Sequence, residues 1–201
     1  MKKRIFNIVI NDDDTTGMDA ISLVDMPAVE HNYLKFNEDK PIVRYNFNED
    51  ERIITGVVAL ADTPIYRYSQ EIGEYYVNFT ADTIKKMIVK YSKNGLFNSV
   101  NLQHDDSTFQ DGIYMFESYI KNSERGIVPT EFDDIPDGSW IASFKVENEE
   151  LWDEIKNSGE LNGFSLQGMF LLEEVFSKIE KPKAVENPID EFEEFVNEYV
   201  D

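Results

Sequence analysis

Residues 161–168 read Leu-Asn-Gly-Phe-Ser-Leu-Gln-Gly, which places Ser165 between two glycines, after a helix-like run and at the start of an apolar segment. A second stretch, Val-Asn-Leu-Gln-His-Asp at residues 100–105, contains His104, one of only two histidines in the chain. The glycine spacing around Ser165 does not fit the Gly-x-Ser-x-Gly nucleophile elbow. A lone histidine at a strand end is more often structural than catalytic, so these residues alone do not establish a site.

The composition predicts one globular domain, residues 1–177, followed by a linker and an acidic tail, residues 178–201. The chain has 201 residues, of which 41% are hydrophobic and 13% aromatic, and it is long enough to bury a core. In the tail, Pro188 is suited to the first turn of a helix. The apolar residues after it (Ile189, Phe192, Phe195, Val196 and Tyr199) form one stripe against acidic neighbours, which predicts a docking helix or a partner-binding tail.

Charge and cysteine content exclude several classes of function. The formal net charge of −21 argues against direct binding of nucleic acid, which needs clustered Lys and Arg. The absence of cysteine excludes disulfides, thiolate metal sites and a cysteine nucleophile. The sequence shows no signal peptide and no apolar run long enough to span a bilayer, so we expect no membrane association. We expect no cofactor and no metal, because two histidines and scattered carboxylates make a weak zinc site.

The order of elements follows from periodicity and capping residues. Apolar runs predict a series of strands bounded by turn residues. These are Ile5–Ile10, Ile21–Val24, Arg52–Leu60, Tyr75–Phe79, Val100–His104, Ile113–Ile120, Ser139–Val146 and Phe164–Phe176, with a further edge strand at residues 33–36. Helical spacing predicts one helix capped by Thr80 and running to about Ser92, and a second capped by Asn148 that stops at Gly159.

A further motif, Asp-Ala-Ile-Ser-Leu-Val-Asp-Met-Pro-Ala at residues 19–28, completes a pattern with the histidine strand and the glycine-flanked serine. Together these segments resemble the tailed-phage prohead (capsid maturation) serine proteases, specifically the XkdF-like branch, which is related in fold to herpesvirus assemblins. The resemblance covers about residues 19–174. It implies an α+β fold, a mostly antiparallel β-barrel-like sheet with a few flanking helices. In the commoner arrangement the motif ends the protease domain, so its N-terminal position here implies a circular permutation.

The resemblance implies that Ser165 is the nucleophile and that His104, on a neighbouring strand, is the base that takes its proton. It also implies an oxyanion hole of backbone N–H groups near the serine. The family's acidic residue precedes the serine of Ser-Leu-Val by two positions, where this chain has Ala20. The neighbouring Asp19 is our assignment for the third member, provided that a bulge or strand entry at residues 17–18 turns it inward. Asp25, Asp105, His31, a two-residue dyad and an inactive protein stay open beside it.

The function implied by the resemblance is an endopeptidase that cleaves scaffold and coat-protein segments during capsid maturation. The expected location is the host cytoplasm, inside the immature capsid. The expected partners are the phage scaffold protein, the major capsid protein and the portal, and the protease is expected to form a homo-oligomer. Two rivals stay open: a protease-fold protein with a structural role and no cleavage, which the Ala20 position favours, and an acidic adaptor of unrelated fold.

Overall fold

A computed structural model describes residues 4–25, 46–157 and 161–175. Within these residues the first strands are β1 (Arg4–Val9), β2 (Gly17–Val24), β3 (Asn46–Asn48), β4 (Ile53–Ala59), β5 (Ile65–Ser69) and β6 (Gly73–Asn78). Helix α1 (Ala81–Lys93) and strands β7 (Val100–Leu102), β8 (Ile113–Ile120) and β9 (Trp140–Val146) follow. Two short 3-10 turns, Ser123–Arg125 and Thr130–Phe132, lie between β8 and β9. The described chain ends with α2 (Glu149–Asn157), β10 (Gly163–Met169) and β11 (Leu171–Glu174).

The strands form three sheets, with orders β11-β1-β6-β5, β10-β2-β7 and β3-β4-β9-β8. The α+β class is confirmed, but the expected barrel-like sheet is wrong, because none of the three sheets closes among the described residues. Most pairs are antiparallel, whereas β1 pairs with β6 and β2 with β7 in parallel. The apolar run predicted as one strand, Phe164–Phe176, is interrupted at Phe170 and contributes β10 to one sheet and β11 to another.

Both predicted helix starts are confirmed by their caps. The hydroxyl of Thr80 accepts a hydrogen bond from the backbone N–H of Thr83 at 3.1 Å, and Asn148 Oδ1 accepts one from Leu151 N–H at 3.1 Å. Each bond satisfies a backbone donor that has no partner inside the helix. Each helix buries a face of apolar residues that recur at helical spacing, and these residues pack the helix into the core. These faces include Ile84, Met87 and Tyr91 in α1, and Leu151, Trp152 and Ile155 in α2.

A large buried aromatic side chain packs the short three-stranded sheet into the hydrophobic core. Phe164 on β10 and Phe144 on β9 are both almost fully buried, and their ring centroids lie 4.7 Å apart. Because Phe164 precedes Ser165, this aromatic pair anchors the strand that carries the serine. The alternation of side chains along a strand then directs Ser165 to the opposite face.

Several expectations concern parts of the chain outside the described residues. These are the edge strand at residues 33–36, the helix stop at Gly159, and the linker and acidic tail at residues 178–201. The circular permutation likewise stays a prediction. Among the helices that the structure does describe, none has the length and apolar character needed to cross a membrane.

Candidate active site

The site is built on one row of residues that crosses the three-stranded sheet. Ser165 on β10 lies opposite Ser22 on the central strand β2, and Ser22 lies beside Asn101 on β7. Residues in register on neighbouring strands point to the same face. Ser22 and Asn101 are fully buried, whereas Ser165 remains partly accessible. The sheet therefore presents two buried polar groups next to one accessible hydroxyl.

His104 reaches this row from a tight turn that follows β7. Gln103 and His104 both have left-handed backbone conformations, with φ of 51° and 61°. Such conformations cost non-glycine residues roughly 1 kcal/mol or more each, and they persist only where surrounding contacts hold them. Here Gln103 N–H donates to the Leu23 carbonyl at 2.9 Å, and Asp105 N–H donates to the Leu102 carbonyl at 2.9 Å. The turn brings the imidazole back over the sheet face.

The imidazole bridges two serines. His104 Nε2 lies 3.0 Å from Ser165 Oγ, and Nδ1 lies 2.9 Å from Ser22 Oγ. The sequence predicted proximity of His104 and Ser165, and the structure brings them within hydrogen-bonding distance. It differs from the expectation of adjoining strands, because β2 lies between β10 and β7 and His104 lies beyond the end of β7.

A chain of hydrogen bonds continues from Ser22 to a carboxylate. Ser22 Oγ donates to Asn101 Oδ1 at 2.6 Å, and Asn101 Nδ2 donates to Gln167 Oε1 at 2.6 Å. Gln167 Nε2 then donates to Asp106 Oδ1 at 2.5 Å. A carboxylate can only accept, so Asp106 orients the Gln167 amide, which in turn orients the Asn101 amide. The carboxylate at the exposed end therefore fixes which group donates and which accepts in each hydrogen bond of the series.

The direction of these hydrogen bonds determines the tautomer of His104. The single hydroxyl proton of Ser22 is committed to Asn101, so Ser22 Oγ accepts a hydrogen bond from His104 Nδ1–H. In the neutral ring Nε2 is then unprotonated, and its lone pair faces the hydroxyl of Ser165. The arrangement matches what a serine nucleophile requires of its base.

Asp19, our assignment for the third member, lies elsewhere. The register between β10 and β2 shifts so that Gln167 pairs with Ala20 and Gly168 with Met18, which leaves Asp19 as the extra residue of a bulge. A bulge is thus present next to residues 17–18, where the assignment of Asp19 required one. Asp19 is nevertheless exposed, and it lines a separate pocket together with Lys90. Nδ1 of His104 is bonded to Ser22 instead. The group beside Nδ1 is thus Ser22, and a catalytic role for Asp19 stays a prediction.

Asp105 and Asp25, which also qualified by sequence as the third group, make different contacts. Asp105 Oδ1 accepts bonds from the N–H and hydroxyl of Ser107, and these bonds, the hydroxyl's first, lower the pKa of Asp105. At Asp25 the backbone N–H donates to Gln103 Oε1 at 3.3 Å. His31 lies outside the described residues. Neither Asp105 nor Asp25 forms the hydrogen bond that Ser22 makes with the imidazole.

Ser22 does not meet the sequence expectation of an acidic or imidazole partner for His104. Strand alternation puts Ser22 on the same face as Ala20, the slot where the family's acid was expected. A polar residue within the apolar run Ala-Ile-Ser-Leu-Val was the available signal, since a serine buried in a strand needs a hydrogen-bond partner. Asn101, Gln167 and Asp106 gave no comparable signal, because their grouping depends on strand order.

The surroundings of His104 favour its neutral form. Although His104 is exposed as a residue, partial loss of hydration, acting more strongly, and the positive charge of Arg67 both lower the pKa of His104 below its usual value. Arg67 lies on β5, in a different sheet. A neutral imidazole at neutral pH is the form that can accept a proton.

A cavity of about 400 Å³ opens beside Ser165. It lies where β10 meets β1, β4, β5, β6 and β11, and its lining is largely apolar, with Arg67 as its charged member. Ile8, Val77, Phe79, Leu166 and Phe170 contribute to its walls. The cavity is large enough to hold one or two peptide side chains next to the serine. In the part of the chain that is described, no group of three or more potential ligands could hold a metal ion.

An α+β fold with a histidine positioned between a serine nucleophile candidate and a supporting polar group, next to an apolar cavity, is the arrangement of a serine peptidase site. The chain belongs to the family described as "Putative phage serine protease XkdF", whose model matches residues 41–173. This range includes His104 and Ser165 but excludes β1 and β2, and thus Ser22. No curated protein and no solved structure matches the chain.

Proposed function

We propose that the protein is a serine endopeptidase that cleaves scaffold and coat-protein segments inside an immature phage capsid. The observation that carries the proposal is the 3.0 Å contact between His104 Nε2 and the hydroxyl of Ser165, a residue that also lines the cavity. Family membership supports the protease part. The capsid setting, with the scaffold protein, the major capsid protein and the portal as partners and a homo-oligomeric enzyme in the host cytoplasm, follows from the phage family resemblance.

In the proposed reaction, Ser165 Oγ attacks the peptide carbonyl as its proton passes to His104 Nε2. The imidazolium formed is held by its Nδ1–H bond to Ser22. It then protonates the leaving amine as the C–N bond breaks, which leaves an acyl-enzyme. Water attacks the acyl carbonyl, gives a proton to Nε2, and the proton returns to Ser165 as the acid product leaves. Ser22 is neutral and stabilises the imidazolium less than a carboxylate would, so we expect a slower enzyme than a carboxylate triad.

The first test is co-expression of the protein with the scaffold and coat proteins of the same phage. Wild type is expected to shorten the scaffold or coat bands, and Ser165→Ala to leave them at full length, because the nucleophile is missing. Ser92→Ala, which removes an exposed hydroxyl on helix α1, is the matched control and is expected to behave as wild type. Identical bands for wild type and Ser165→Ala would contradict the proposal. Assembly inside the cell provides the high local concentration that dilute enzyme lacks.

A second candidate function is a protease-fold protein with a structural role in the capsid and no cleavage. The observation that favours it is Ser22, a neutral group, at the position beside His104 Nδ1. The two candidates give opposite results in the same co-expression, because a structural protein would support assembly equally well with serine or alanine at position 165. Particle yield, scored next to the bands, distinguishes them.

The pH dependence of cleavage is expected to have its acid limb below the ordinary histidine value of about 6.5. His104 works as a base only when neutral, so activity falls as the pH drops through its pKa, which lost hydration and Arg67 both lower. Asp105 and Asp106 follow His104 directly in sequence, but the pKa of His104 is still lowered overall. Measuring kcat/KM against pH for a substrate without acidic residues tests this. In Arg67→Gln the acid limb of the pH profile should move to higher pH, because a positive charge that lowers the pKa of His104 is removed. An unchanged acid limb would contradict this effect of Arg67.

A further inference from the structure

Arg67 differs from Arg4 and Arg52 in having no acidic partner among the described residues. Arg4 and Arg52 pair with Glu174 and Glu149 at 2.6 and 2.5 Å. Arg67 is half-buried, and its one hydrogen bond in the described part of the chain runs from Nη1 to the carbonyl of the preceding residue, Tyr66, at 2.9 Å. A guanidinium offers five N–H donors, so most of its capacity is unused. The chain contains 40 acidic residues, and none that the structure describes forms an ion pair with it.

The position of Arg67 links this unused capacity to the candidate active site. Arg67 and Ser165 line the same cavity, whose other walls are largely aliphatic and aromatic. Removal of water lowers the pKa of Arg67, an effect that Tyr75 partly offsets, which marks a charge that has lost hydration without gaining an anion. An incoming carboxylate would restore that compensation, and it would do so in low-dielectric surroundings where the pairing is strong. The apolar walls suit the methylene groups that carry such a carboxylate.

We propose that Arg67 binds a carboxylate of the substrate in this cavity and so makes the enzyme selective for peptides with an acidic group near the cleaved bond. The inference rests on the proposed peptidase function and names the substrate class for the same site. The carboxylate has two possible sources, a Glu or Asp side chain or the C-terminal carboxylate of a peptide. Both present the planar pair of oxygens that a guanidinium binds through two N–H groups.

Binding is tested without cleavage by immobilising Ser165→Ala and incubating it with three libraries of ten-residue peptides. In each library the central residue and the C-terminal group are fixed, and the other positions are random but contain no Glu or Asp. The first has a fixed central Glu and an amidated C-terminus, the second a central Gln and an amidated C-terminus, and the third a central Gln and a free C-terminal acid. Captured peptides are counted by mass spectrometry. Ser165→Ala/Arg67→Gln removes the proposed contact. Ser165→Ala/Arg125→Gln, which loses an exposed arginine outside the cavity, is the control matched in net charge.

The central-Glu library, the free-acid library or both should be captured about 10-fold or more above the central-Gln amide library. The Arg67→Gln variant should bring the libraries within about 2-fold of each other, and the Arg125→Gln variant should keep the difference. The library that is favoured identifies the source of the carboxylate. Equal capture of all three libraries by Ser165→Ala, or a preference that survives Arg67→Gln, would overturn the proposal.

A second measurement separates this inference from the proposed function. Wild-type enzyme is incubated with a proteome-derived peptide mixture, and Ser165-dependent cleavage sites are mapped. Sites rich in Glu or Asp near the cleaved bond support the inference, whereas cleavage without acidic enrichment overturns it and leaves the peptidase function intact. If no Ser165-dependent cleavage occurs either here or in the co-expression, the peptidase function fails, and the library binding still decides whether Arg67 holds a carboxylate.

Discussion

Replacing His104 with asparagine is expected to lower kcat by about 10⁴-fold. The imidazole is the group within reach of the Ser165 hydroxyl, at 3.0 Å, so its loss leaves the nucleophile without a base. Asparagine is preferable to alanine because position 104 has a left-handed φ of 61°, which asparagine tolerates. We expect a smaller loss than in carboxylate triads, since the starting enzyme is supported by a neutral serine. Single-turnover cleavage of a scaffold-derived substrate measures how far the rate of the chemical step falls in the variant.

The unfolding midpoint of His104→Asn provides the control, since His104 is exposed and should contribute little to stability. A variant that remains folded and cleaves at the wild-type rate would eliminate His104 as the base. The same assay identifies the third group. Ser22→Ala should lower kcat by roughly 10- to 100-fold, because it removes the acceptor of Nδ1–H, whereas Asp19→Ala should stay within about 2-fold of wild type. The reverse order would restore Asp19 to the site.

Ser22→Ala also affects folding, which must be separated from its effect on rate. Ser22 is fully buried, and its loss leaves Asn101 Oδ1 without the donor at 2.6 Å. An unsatisfied buried acceptor costs about 1–3 kcal/mol. Rates are therefore compared at a temperature and denaturant concentration where both proteins are folded. Loss of the Ser22 contact also frees the tautomer of His104, so nitrogen chemical shifts of the imidazole should show less Nε2-unprotonated ring.

Local patterns were enough to predict the helices and most strands. The cap at Thr80, the cap at Asn148 and the strand Ile113–Ile120 follow from neighbouring residues, and the structure has each of them. The proximity of His104 and Ser165 was also predicted, but through family resemblance, because 61 positions separate the two residues in sequence. Spacing along a chain carries no information about which distant strands pair.

The parts that could not be predicted depend on strand order and on backbone conformations set by tertiary contacts. Phe170 lies within an apolar run that looks continuous, yet the strand changes sheets there because β11 pairs with β1. The left-handed turn at residues 103–104 interrupts a run that alternation extends through His104. The role of Ser22 beside His104 Nδ1 required β2 to lie between β10 and β7. Arg67 joins the cavity only through packing of a second sheet.

Gly168→Ala is expected to destabilise the fold by about 3 kcal/mol, the upper part of the range for overpacking. A Cβ at position 168 would lie 2.1 Å from the Gly17 carbonyl oxygen and 2.7 Å from Met18 Cα, which are backbone atoms of the paired strand. Backbone cannot turn away as a side chain can, so β10 must separate from β2 at the bulge. Because β10 carries Ser165 and Gln167, the variant should also lose activity beyond its loss of folded protein. Urea unfolding with a parallel activity assay measures both effects.

Gly73→Ala is the matched control for this substitution. Gly73 has a left-handed φ of 79°, and its added Cβ would meet nothing within 4 Å. Its replacement therefore incurs backbone strain of about 1 kcal/mol without a collision and lies outside the serine strand. A smaller stability loss with unchanged activity is expected. Equal losses for the two variants would mean that the close approach of β10 and β2 is dispensable. The bulge would then be irrelevant to holding Ser165 opposite Ser22, and the row of polar groups under His104 would need another origin.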